Sequence, residues 1–378
     1  MDILSLIRPN ILTMESYTPI LPFEVLSAKL GRDPKDIIKL DANENPYGAS
    51  PRIKSLIFNH QYLHIYPDPE STQLRAALSR DLNIPAANIL AGAGADELID
   101  LILRLFLNPN DSIIDCPPTF GMYSFDAAIN AGKVINIPRR DNFSVDVAAI
   151  QSLISDLQSL IPNLQRPTSN VQLPKVLFLA SPNNPDGSMI SDDDLKRLLS
   201  LPIIIVLDEA YIEFSGVESR AAWVLKHDNL IVLRTFSKRA GLAGLRVGYG
   251  IFPTKLMPHL WKIKQPYNVS VAASAAGIAS LEDKEYLAET VEKLVAERDR
   301  LAESLNEFPF IKVYPSYSNF ILCRIIGRDA KDLKLALERE GILVRYFDKD
   351  GLRDCIRISA GKPEHMDKLI EAIRKIND

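Results

Sequence analysis

The middle of the chain alternates short runs of β-branched residues with stretches of helical periodicity. This alternation favours an α/β fold in which helices cover both faces of a mainly parallel sheet. The clearest predicted strands cover residues 113–114, 176–179, 203–207 and 230–233. Three of them run directly into polar residues, at 181–185, at 208–211 and at 235–238. Open α/β sheets build their ligand sites at the carboxyl ends of strands, so these three segments are the first candidates for a functional site.

The length of 378 residues exceeds what one compact core usually holds and predicts two domains. Prolines at positions 9, 19, 22 and 34 indicate that residues 1–35 form an N-terminal arm, packed on the small domain or on a partner subunit. Residues 36–265 are predicted to form the large domain, with a polar surface loop at 162–170. Long charged helices follow and predict a smaller α+β C-terminal domain over 266–378. In it we expect helices at 284–308 and 330–340 and strands at 319–323 and 356–359.

Charge and composition exclude several classes of protein. The net charge is −4 and the sequence pI is near 5.9, so the chain has no basic excess with which to bind nucleic acid. Cys116, Cys323 and Cys355 lie far apart without a CxxC pair, which indicates reduced structural thiols and no metal site. The longest apolar runs are too short to cross a membrane. The N-terminal residues match neither a secretion signal nor a transit peptide, so the cytosol is the expected compartment, with a processed organellar form left open.

Lys238 is the first candidate for chemistry. It follows a predicted apolar strand through residues 235–237, and Arg239 and Arg246 supply positive charge nearby. A lysine that forms an imine must be deprotonated part of the time, and a desolvated or cation-flanked pocket favours that state. Taken alone, Lys238 would more commonly be an exposed loop lysine, so its neighbours in the fold have to support the assignment.

A glycine-rich stretch at 91–97 opens a predicted helix and could bind a phosphate group. The free N–H groups of its first turn, around Gly94, Ala95 and Asp96, would face the anion together with the helix dipole. Ser237 and Arg246 would add a hydroxyl and a guanidinium fork to the same phosphate. By itself such a stretch is more often only a turn before a helix.

Two further strand ends carry polar side chains that suit a pyridoxal phosphate ring. Asp208 follows the strand at 203–207, where a protonated pyridine nitrogen would keep its carboxylate ionised. Tyr211 and Asn183 could both donate to the phenolic oxygen of that ring. The alternatives are a helix N-cap for Asp208 and a turn residue for Asn183.

These residues belong to motifs that resemble the histidinol-phosphate aminotransferases, a family of fold type I pyridoxal-phosphate enzymes. The resemblance covers nearly the whole chain. Its most specific parts are Asp-Ala-Asn-Glu-Asn-Pro-Tyr-Gly at 41–48 and Cys-Pro-Pro-Thr at 116–119. The other matching stretches are 66–68, 94–97, 181–185, 208–211, 237–238, 244–246 and 357–359.

The resemblance implies a role for each cofactor-binding residue. Lys238 is the Schiff-base and proton-transfer lysine, Asp208 is the pyridinium partner, and Asn183 and Tyr211 are the donors to the phenolic oxygen. Phe120 stacks on the ring, at a position where many members have tyrosine. The residues expected around the cofactor phosphate are Gly94, Ala95, Asp96, Ser237, Arg246 and, donated by the neighbouring subunit of a homodimer, Tyr66.

The resemblance also implies the substrate-binding residues. Arg357 holds the substrate α-carboxylate, for which a bidentate guanidinium is well suited. Arg345 binds the phosphate of the substrate, and Tyr17 in the arm closes over that end. Asn45 and Asn183 complete the expected substrate-binding set.

The implied reaction is a ping-pong transamination. The amino group of L-glutamate passes to pyridoxal phosphate and then to imidazole-acetol phosphate, which gives L-histidinol phosphate. An aromatic amino-acid aminotransferase or a phospho-amino-acid decarboxylase of the same fold is the nearest alternative, because the cofactor motifs are shared. A cofactor-binding regulator without turnover fits less well, and so does a nicotinamide-dependent Rossmann enzyme, since the glycine stretch lacks the G-x-G-x-x-G order.

Overall fold

The structure is a computed structural model and describes residues 2–17, 21–59, 61–160 and 172–377. The loop predicted at 162–170 and the proline at position 19 lie outside the described residues. The strands, numbered in chain order, are β1 (Ile38–Leu40), β2 (Ile89–Gly92), β3 (Ser112–Asp115), β4 (Lys133–Asn136), β5 (Val176–Ala180), β6 (Ile204–Asp208), β7 (Leu230–Thr235), β8 (Gly248–Ile251), β9 (Ile311–Val313), β10 (Phe320–Ile325), β11 (Ile342–Tyr346) and β12 (Cys355–Ser359).

The helices are numbered in the same way. They are α1 (Pro9–Leu12), α2 (Phe23–Leu30), α3 (Pro51–Phe58), α4 (Thr72–Leu82), α5 (Gly94–Phe106), α6 (Met122–Ile129), α7 (Val147–Leu160), α8 (Asp192–Leu199), α9 (Met257–Ile263), α10 (Val271–Glu282), α11 (Lys284–Leu305), α12 (Ala330–Arg339) and α13 (Pro363–Asn377). Within the described ranges, no helix is both long and apolar enough to cross a membrane.

A seven-stranded sheet forms the larger body of the fold, in the order β2-β8-β7-β6-β5-β3-β4. Its strands are parallel except for β8, which runs antiparallel to both of its neighbours. Every residue of β5 and β7 is buried, because helices cover both faces of the sheet. Leu177 and Leu179 pack into the core on one face, and Val176 and Phe178 pack into the core on the other.

The predicted α/β fold is confirmed, and so are the four predicted strands, which correspond to β3, β5, β6 and β7. Parallel pairing in register places Ala180 at the end of β5 beside Asp208 at the end of β6. Asp208 in turn lies beside Leu233 of β7. The loops that leave these three neighbouring strands therefore start from the same edge of the sheet.

A second sheet of five strands has the order β1-β11-β12-β10-β9. The strand pair β1 and β11 is parallel, and the others are antiparallel. Helices α11, α12 and α13 contribute to its core. The predicted helices at 284–308 and 330–340 and the strands at 319–323 and 356–359 correspond to α11, α12, β10 and β12.

The two sheets exchange segments near the predicted domain boundaries. Residues 38–40, expected in the large domain, form β1 of the five-stranded sheet, because Ile38 and Leu40 pack with Ile342 and Val344 in its core. Conversely, α10 packs on α3 and α4 and buries Ala273, Ala276 and Ala279 in the core of the seven-stranded sheet. The chain thus passes between the two sheets after β1, and that passage holds residues 41–48.

The N-terminal arm contacts both bodies of the fold within one chain. The Asn10 side chain donates to the Ala128 carbonyl oxygen at 2.8 Å, which fixes α1 on α6. Leu26 of α2 packs with Ile37 and Leu343 beside the five-stranded sheet. The arm therefore passes close to the edge at which β5, β6 and β7 end.

Candidate active site

A cavity of about 240 Å³ lies at the carboxyl ends of β5, β6 and β7. Segments distant in sequence meet there, since it is lined by the loops that follow these strands and by the first turn of α5. The predicted site residues that line it are Ala95, Asp96, Phe120, Asp208, Tyr211, Ser237, Lys238 and Arg246.

Lys238 projects into this cavity from the loop after β7. Its Nζ atom donates to the Ala42 carbonyl oxygen at 3.4 Å and lies 5.6 Å from the ring centroid of Tyr211. Among the described residues, no carboxylate lies within ion-pair distance of this nitrogen. An amine without a carboxylate partner, half-buried beside an aromatic ring, is suited to act as a nucleophile.

Asp208 places a buried carboxyl group in the lining of the same cavity. The Tyr123 hydroxyl donates to its Oδ2 atom at 2.7 Å, and the Ala210 N–H donates to Oδ1 at 3.0 Å. Burial raises the pKa of Asp208 to about 6, while these two hydrogen bonds act in the opposite direction. A cationic group in the cavity would stabilise the carboxylate further.

Tyr123 is a site residue that the sequence analysis missed. It is fully buried, stacks on Phe178 with ring centroids 4.9 Å apart, and meets the edge of Phe120 at 5.6 Å. Tyr123 lies in the first turn of α6 and Phe120 two residues before that helix, and the Tyr123 N–H donates to the Phe120 carbonyl oxygen at 3.4 Å. That spacing was the available signal, but only the folded chain shows that its hydroxyl reaches Asp208.

The first turn of α5 and the Arg246 side chain form a compact polar cradle. Gly94 has a φ of +81°, which L side chains rarely adopt, and a Cβ atom there would lie 2.5 Å from an Nη atom of Arg246, so both observations favour glycine at this position. Arg246 also pairs with Asp96 at 2.5 Å. The Ser237 hydroxyl accepts from the Thr235 hydroxyl at 2.9 Å and keeps its own proton for another acceptor. The donors of this cradle suit a phosphate group.

Asn183 does not reach the cavity, and this prediction is corrected. Its side chain is fully buried: Nδ2 donates to the Pro118 carbonyl oxygen at 3.0 Å and to Asp186, and Oδ1 accepts from Thr119 at 2.7 Å. The residue therefore joins two loops. Its neighbour Asn184 lines the cavity instead, because consecutive side chains leave the backbone in different directions.

Asn45 is also held away from the cavity. Its Nδ2 atom donates to the Arg239 carbonyl oxygen at 3.0 Å, and its Oδ1 atom accepts from the Tyr47 N–H at 3.0 Å. These bonds use the side chain to shape the turn at 45–48, and Glu44 lines the cavity in its place. The expected substrate contact of Asn45 is therefore not part of this geometry.

Arg357 on β12 is a buried cation that forms no ion pair with any described residue. The residue is 5% exposed, and its guanidinium donates to the Asn184 side-chain oxygen and, at 2.6 Å, to the Asp41 carbonyl oxygen. Its Nε atom has no hydrogen-bond partner in the described part of the chain, and burial lowers the pKa of Arg357 to about 10. In the described ranges no carboxylate lies within ion-pair distance of it, and a bound anion would offset the cost of burying this charge.

A second cavity, of about 670 Å³, lies beside the first. Tyr17, Arg345 and Lys349 line it together with Gly121, which directly follows Phe120 of the first cavity. Arg345 lies opposite Arg357 in the register of β11 and β12. The structure thus brings the two predicted substrate-binding arginines to neighbouring positions, with Tyr17 of the arm on the same cavity as Arg345.

Tyr66 lies outside both cavities of its own chain. Its side chain is 78% exposed and stacks on Tyr267, with ring centroids 4.7 Å apart. An exposed and ordered aromatic pair of this kind is available to a second molecule.

The raised pKa of Asp208 predicts a pH-dependent stability that Asp208→Asn would remove. In the ligand-free protein the folded pKa of about 6 lies above the ordinary 3.8. Only the folded chain retains this proton between those values, so the stabilising contribution is complete at low pH and is lost as pH rises through about 6. We therefore expect the free energy of unfolding of Asp208→Asn, relative to wild type, to increase by about 2 kcal/mol between about pH 4.5 and 7.5.

Thermal or urea unfolding of the ligand-free proteins measures this difference. Asp228→Asn is the matched control, since that carboxylate is 70% exposed in an ion pair with Lys255 and should show no comparable trend. A constant difference between Asp208→Asn and wild type across this pH range would contradict the account of Asp208.

Comparison with known proteins identifies the family. The family model described as aminotransferase class I and II matches residues 35–373. Histidinol-phosphate aminotransferase 1, chloroplastic, of Arabidopsis thaliana is 54% identical over 372 residues, which cover 98% of this chain and 86% of the relative. Histidinol-phosphate aminotransferase of Roseiflexus castenholzii (strain DSM 13941 / HLO8) is 48% identical over 383 residues, covering 99% of each chain.

Solved structures agree with this assignment. The crystal structure of histidinol-phosphate aminotransferase from Sinorhizobium meliloti in complex with pyridoxal-5'-phosphate has a TM-score of 0.86 and 28% identity, covering 98% of each chain. The chain described here therefore belongs to the class I and II aminotransferases and, within them, to the histidinol-phosphate aminotransferases.

Proposed function

We propose that this chain transfers the amino group of L-glutamate to imidazole-acetol phosphate, using pyridoxal phosphate as cofactor. The products are 2-oxoglutarate and L-histidinol phosphate, and the reaction is a step of histidine biosynthesis. The observation that carries the proposal is a cavity lined by both Lys238 and the buried Asp208, beside which Arg357 contacts the lining residue Asn184 and pairs in register with Arg345. The names of the curated relatives support the choice of substrate.

The side chains around the cavity fit pyridoxal phosphate. The buried Asp208 carboxylate suits a protonated ring nitrogen, and the cradle of Gly94, Ser237 and Arg246 suits a phosphate. When bound, the cofactor supplies an electron sink for the carbanion that forms at the substrate Cα. Lys238 would hold the cofactor covalently and, once displaced by the substrate amine, carry the Cα proton as general base and acid.

The remaining side chains of the cavity would orient the ring. Phe120 would pack on its face, and Tyr211 would donate to the phenolic oxygen. We assign the second donor to Asn184 in place of Asn183, because Asn184 lines the cavity. Tyr123 would keep the Asp208 carboxylate in place through its hydrogen bond to Oδ2.

The arginine pair suits the two anionic amino compounds of the reaction, the donor L-glutamate and the product L-histidinol phosphate, which is the amino donor in the reverse direction. L-glutamate presents an α-carboxylate, whereas L-histidinol phosphate has no carboxylate and presents a phosphate. We assign the α-carboxylate to the buried Arg357, whose planar fork matches two oxygens, and the phosphate to Arg345 on the larger cavity that Tyr17 also lines.

The two arginines can be separated by measuring each half-reaction alone. Arg345→Gln should raise the KM for L-histidinol phosphate by about 10–100-fold, the loss of one charge-assisted contact, and should change the KM for L-glutamate much less. Arg357→Gln should impair the half-reaction with L-glutamate. Arg374→Gln is the control, because Arg374 is 61% exposed on the distant α13. Equal losses in both half-reactions for Arg345→Gln would contradict the assignment of the phosphate.

We further propose that two copies of the chain form a homodimer that completes each site. Tyr66 belongs to a strongly exposed apolar surface, which a monomer rarely leaves open and which indicates an interface. The exposed fractions in this surface are 58% for Leu63, 53% for Ile65, 78% for Tyr66 and 46% for Tyr267. Tyr66 would reach the cofactor phosphate of the partner.

Mixed dimers of Tyr66→Ala and Lys238→Ala chains test this donation. If Tyr66 acts across the interface, each mixed dimer contains one site with both Lys238 and Tyr66 intact. Random reassociation makes half of the dimers mixed, so activity at limiting cofactor should recover to about a quarter of wild type. A mixture no more active than the two separate homodimers would show that Tyr66 does not act in the partner's site.

We also propose a cellular compartment for this chain. The cytosol is the predicted location, and the organellar alternative is supported by the relatives named chloroplastic in Arabidopsis thaliana and Nicotiana tabacum.

A further inference from the structure

Asn43 lies in the passage between the two sheets and is 1% exposed. Its φ of +55° is left-handed, a conformation that asparagine tolerates better than most residues. The neighbours Ala42 and Glu44 line the cofactor cavity, but Asn43 does not. Its side chain instead hydrogen-bonds Tyr211 and Ser359, and the direction of these bonds defines what it does.

The amide of Asn43 has a fixed orientation. Its backbone N–H donates to the Ser359 hydroxyl oxygen at 2.9 Å, and the same hydroxyl lies 3.0 Å from Asn43 Oδ1. Among the described residues Asn43 Oδ1 is the one acceptor within reach of the Ser359 hydroxyl, so the amide orientation that satisfies this buried proton is the one with Oδ1 toward Ser359. The Nδ2 end of the amide must then face Tyr211, where it donates to the phenolic oxygen at 3.0 Å.

This arrangement sets the polarity of the Tyr211 hydroxyl. The amide nitrogen of Asn43 is a donor and has no lone pair to offer, so the Tyr211 hydroxyl cannot donate its own proton to that nitrogen. Among the described residues, the Tyr211 hydroxyl donates to no protein group. Its proton therefore remains for an acceptor in the cavity that Tyr211 lines.

We infer that Asn43 is a positioning residue that makes Tyr211 a hydrogen-bond donor toward the phenolic oxygen of the cofactor. The inference rests on the proposed role of Tyr211 and adds the residue that enforces it. Tyr211 alone could either accept or donate, and the Asn43 amide removes that choice.

The same residue connects the cofactor to the substrate-binding strand. Ser359 lies two residues after Arg357 on β12, and Asn319, which directly precedes β10 of the same sheet, donates to the Asn43 carbonyl oxygen at 3.2 Å. The five-stranded sheet therefore holds Asn43, and Asn43 holds Tyr211 beside the seven-stranded sheet. A displacement of β12 would change the hydrogen bond that fixes the Tyr211 proton.

Asn43→Asp tests the inference, because aspartate keeps the shape and tolerates the left-handed backbone but can only accept hydrogen bonds when ionised. The Tyr211 hydroxyl would then donate its hydrogen bond to the new carboxylate and no longer to the phenolic oxygen of the cofactor. A donor on that oxygen weakens its hold on the proton of the nitrogen that joins the cofactor to Lys238. We expect the midpoint of the pH titration of the cofactor's visible absorbance to rise by about one pH unit in Asn43→Asp and in Tyr211→Phe.

A double-mutant cycle separates the hydrogen bond from the new charge. In the Tyr211→Phe background, Asn43→Asp should shift the midpoint much less, because only the through-space effect of the charge remains. An equal shift in both backgrounds would overturn the inference while leaving Tyr211 as the donor. No shift in Tyr211→Phe itself would overturn the proposed role of Tyr211 and the inference with it.

Two further variants serve as a matched control and as a separate test of the amide orientation. Asn83→Asp is the matched control, since Asn83 has a φ of +54° and lies exposed at the end of α4; its midpoint should equal that of wild type. Ser359→Ala removes the proton that orients the amide, and the midpoint should rise in the same direction by a smaller amount. An unchanged midpoint in a folded Ser359→Ala enzyme would contradict the fixed orientation of Asn43.

Discussion

The carboxylate of Asp208 lies at the end of a buried strand, where, among the described residues, only a tyrosine hydroxyl and one backbone N–H donate to it. Arg357 is a buried guanidinium in a similar situation, since its hydrogen bonds within the described ranges all go to neutral oxygens. Burying an unpaired charge is costly, and a ligand of opposite charge removes that cost. The site therefore has one anionic and one cationic position that favour, respectively, a protonated ring nitrogen and an anionic substrate.

The charged residues at the phosphate end of the cavity are exposed and paired, unlike Asp208 and Arg357. Arg246 pairs with Asp96 where both side chains are nearly half exposed. Exposed ion pairs contribute little to stability, so rearranging this pair around a phosphate costs little. The first turn of α5 supplies N–H groups that need partners in any case. Buried ionisable side chains thus define the ring and substrate positions, whereas an exposed ion pair that can rearrange lies at the phosphate position.

The sequence was sufficient to predict most of this site because its main residues directly follow buried parallel strands. Lys238, Asp208 and Tyr211 occur at such places. The carboxyl ends of parallel strands lie at one edge of a sheet, independently of the conformations of the loops that follow them. The choice between Asn183 and Asn184 depends on the path of a turn, which hydrophobic periodicity does not report. Tyr123 looks like an ordinary core residue of a helix until the fold brings its hydroxyl to Asp208.

The exchanges between the sheets had equally local causes. Strand β1 has only three residues, too few to show a strand pattern, and only its pairing with β11 assigns it to the five-stranded sheet. Helix α10 is rich in alanine and has no sharply apolar face, so the sequence did not show that it belongs to the large core. These short connections also bring Asn43 between Tyr211 and Ser359.

The most direct test of the central claim is the visible absorbance of the purified protein after incubation with pyridoxal phosphate. The account predicts an absorbance band that L-histidinol phosphate bleaches and L-phenylalanine does not, and that is altered in Lys238→Ala. A protein that stays colourless would contradict the cofactor site at Lys238 and Asp208. A band that L-histidinol phosphate leaves unchanged would contradict the proposed substrate.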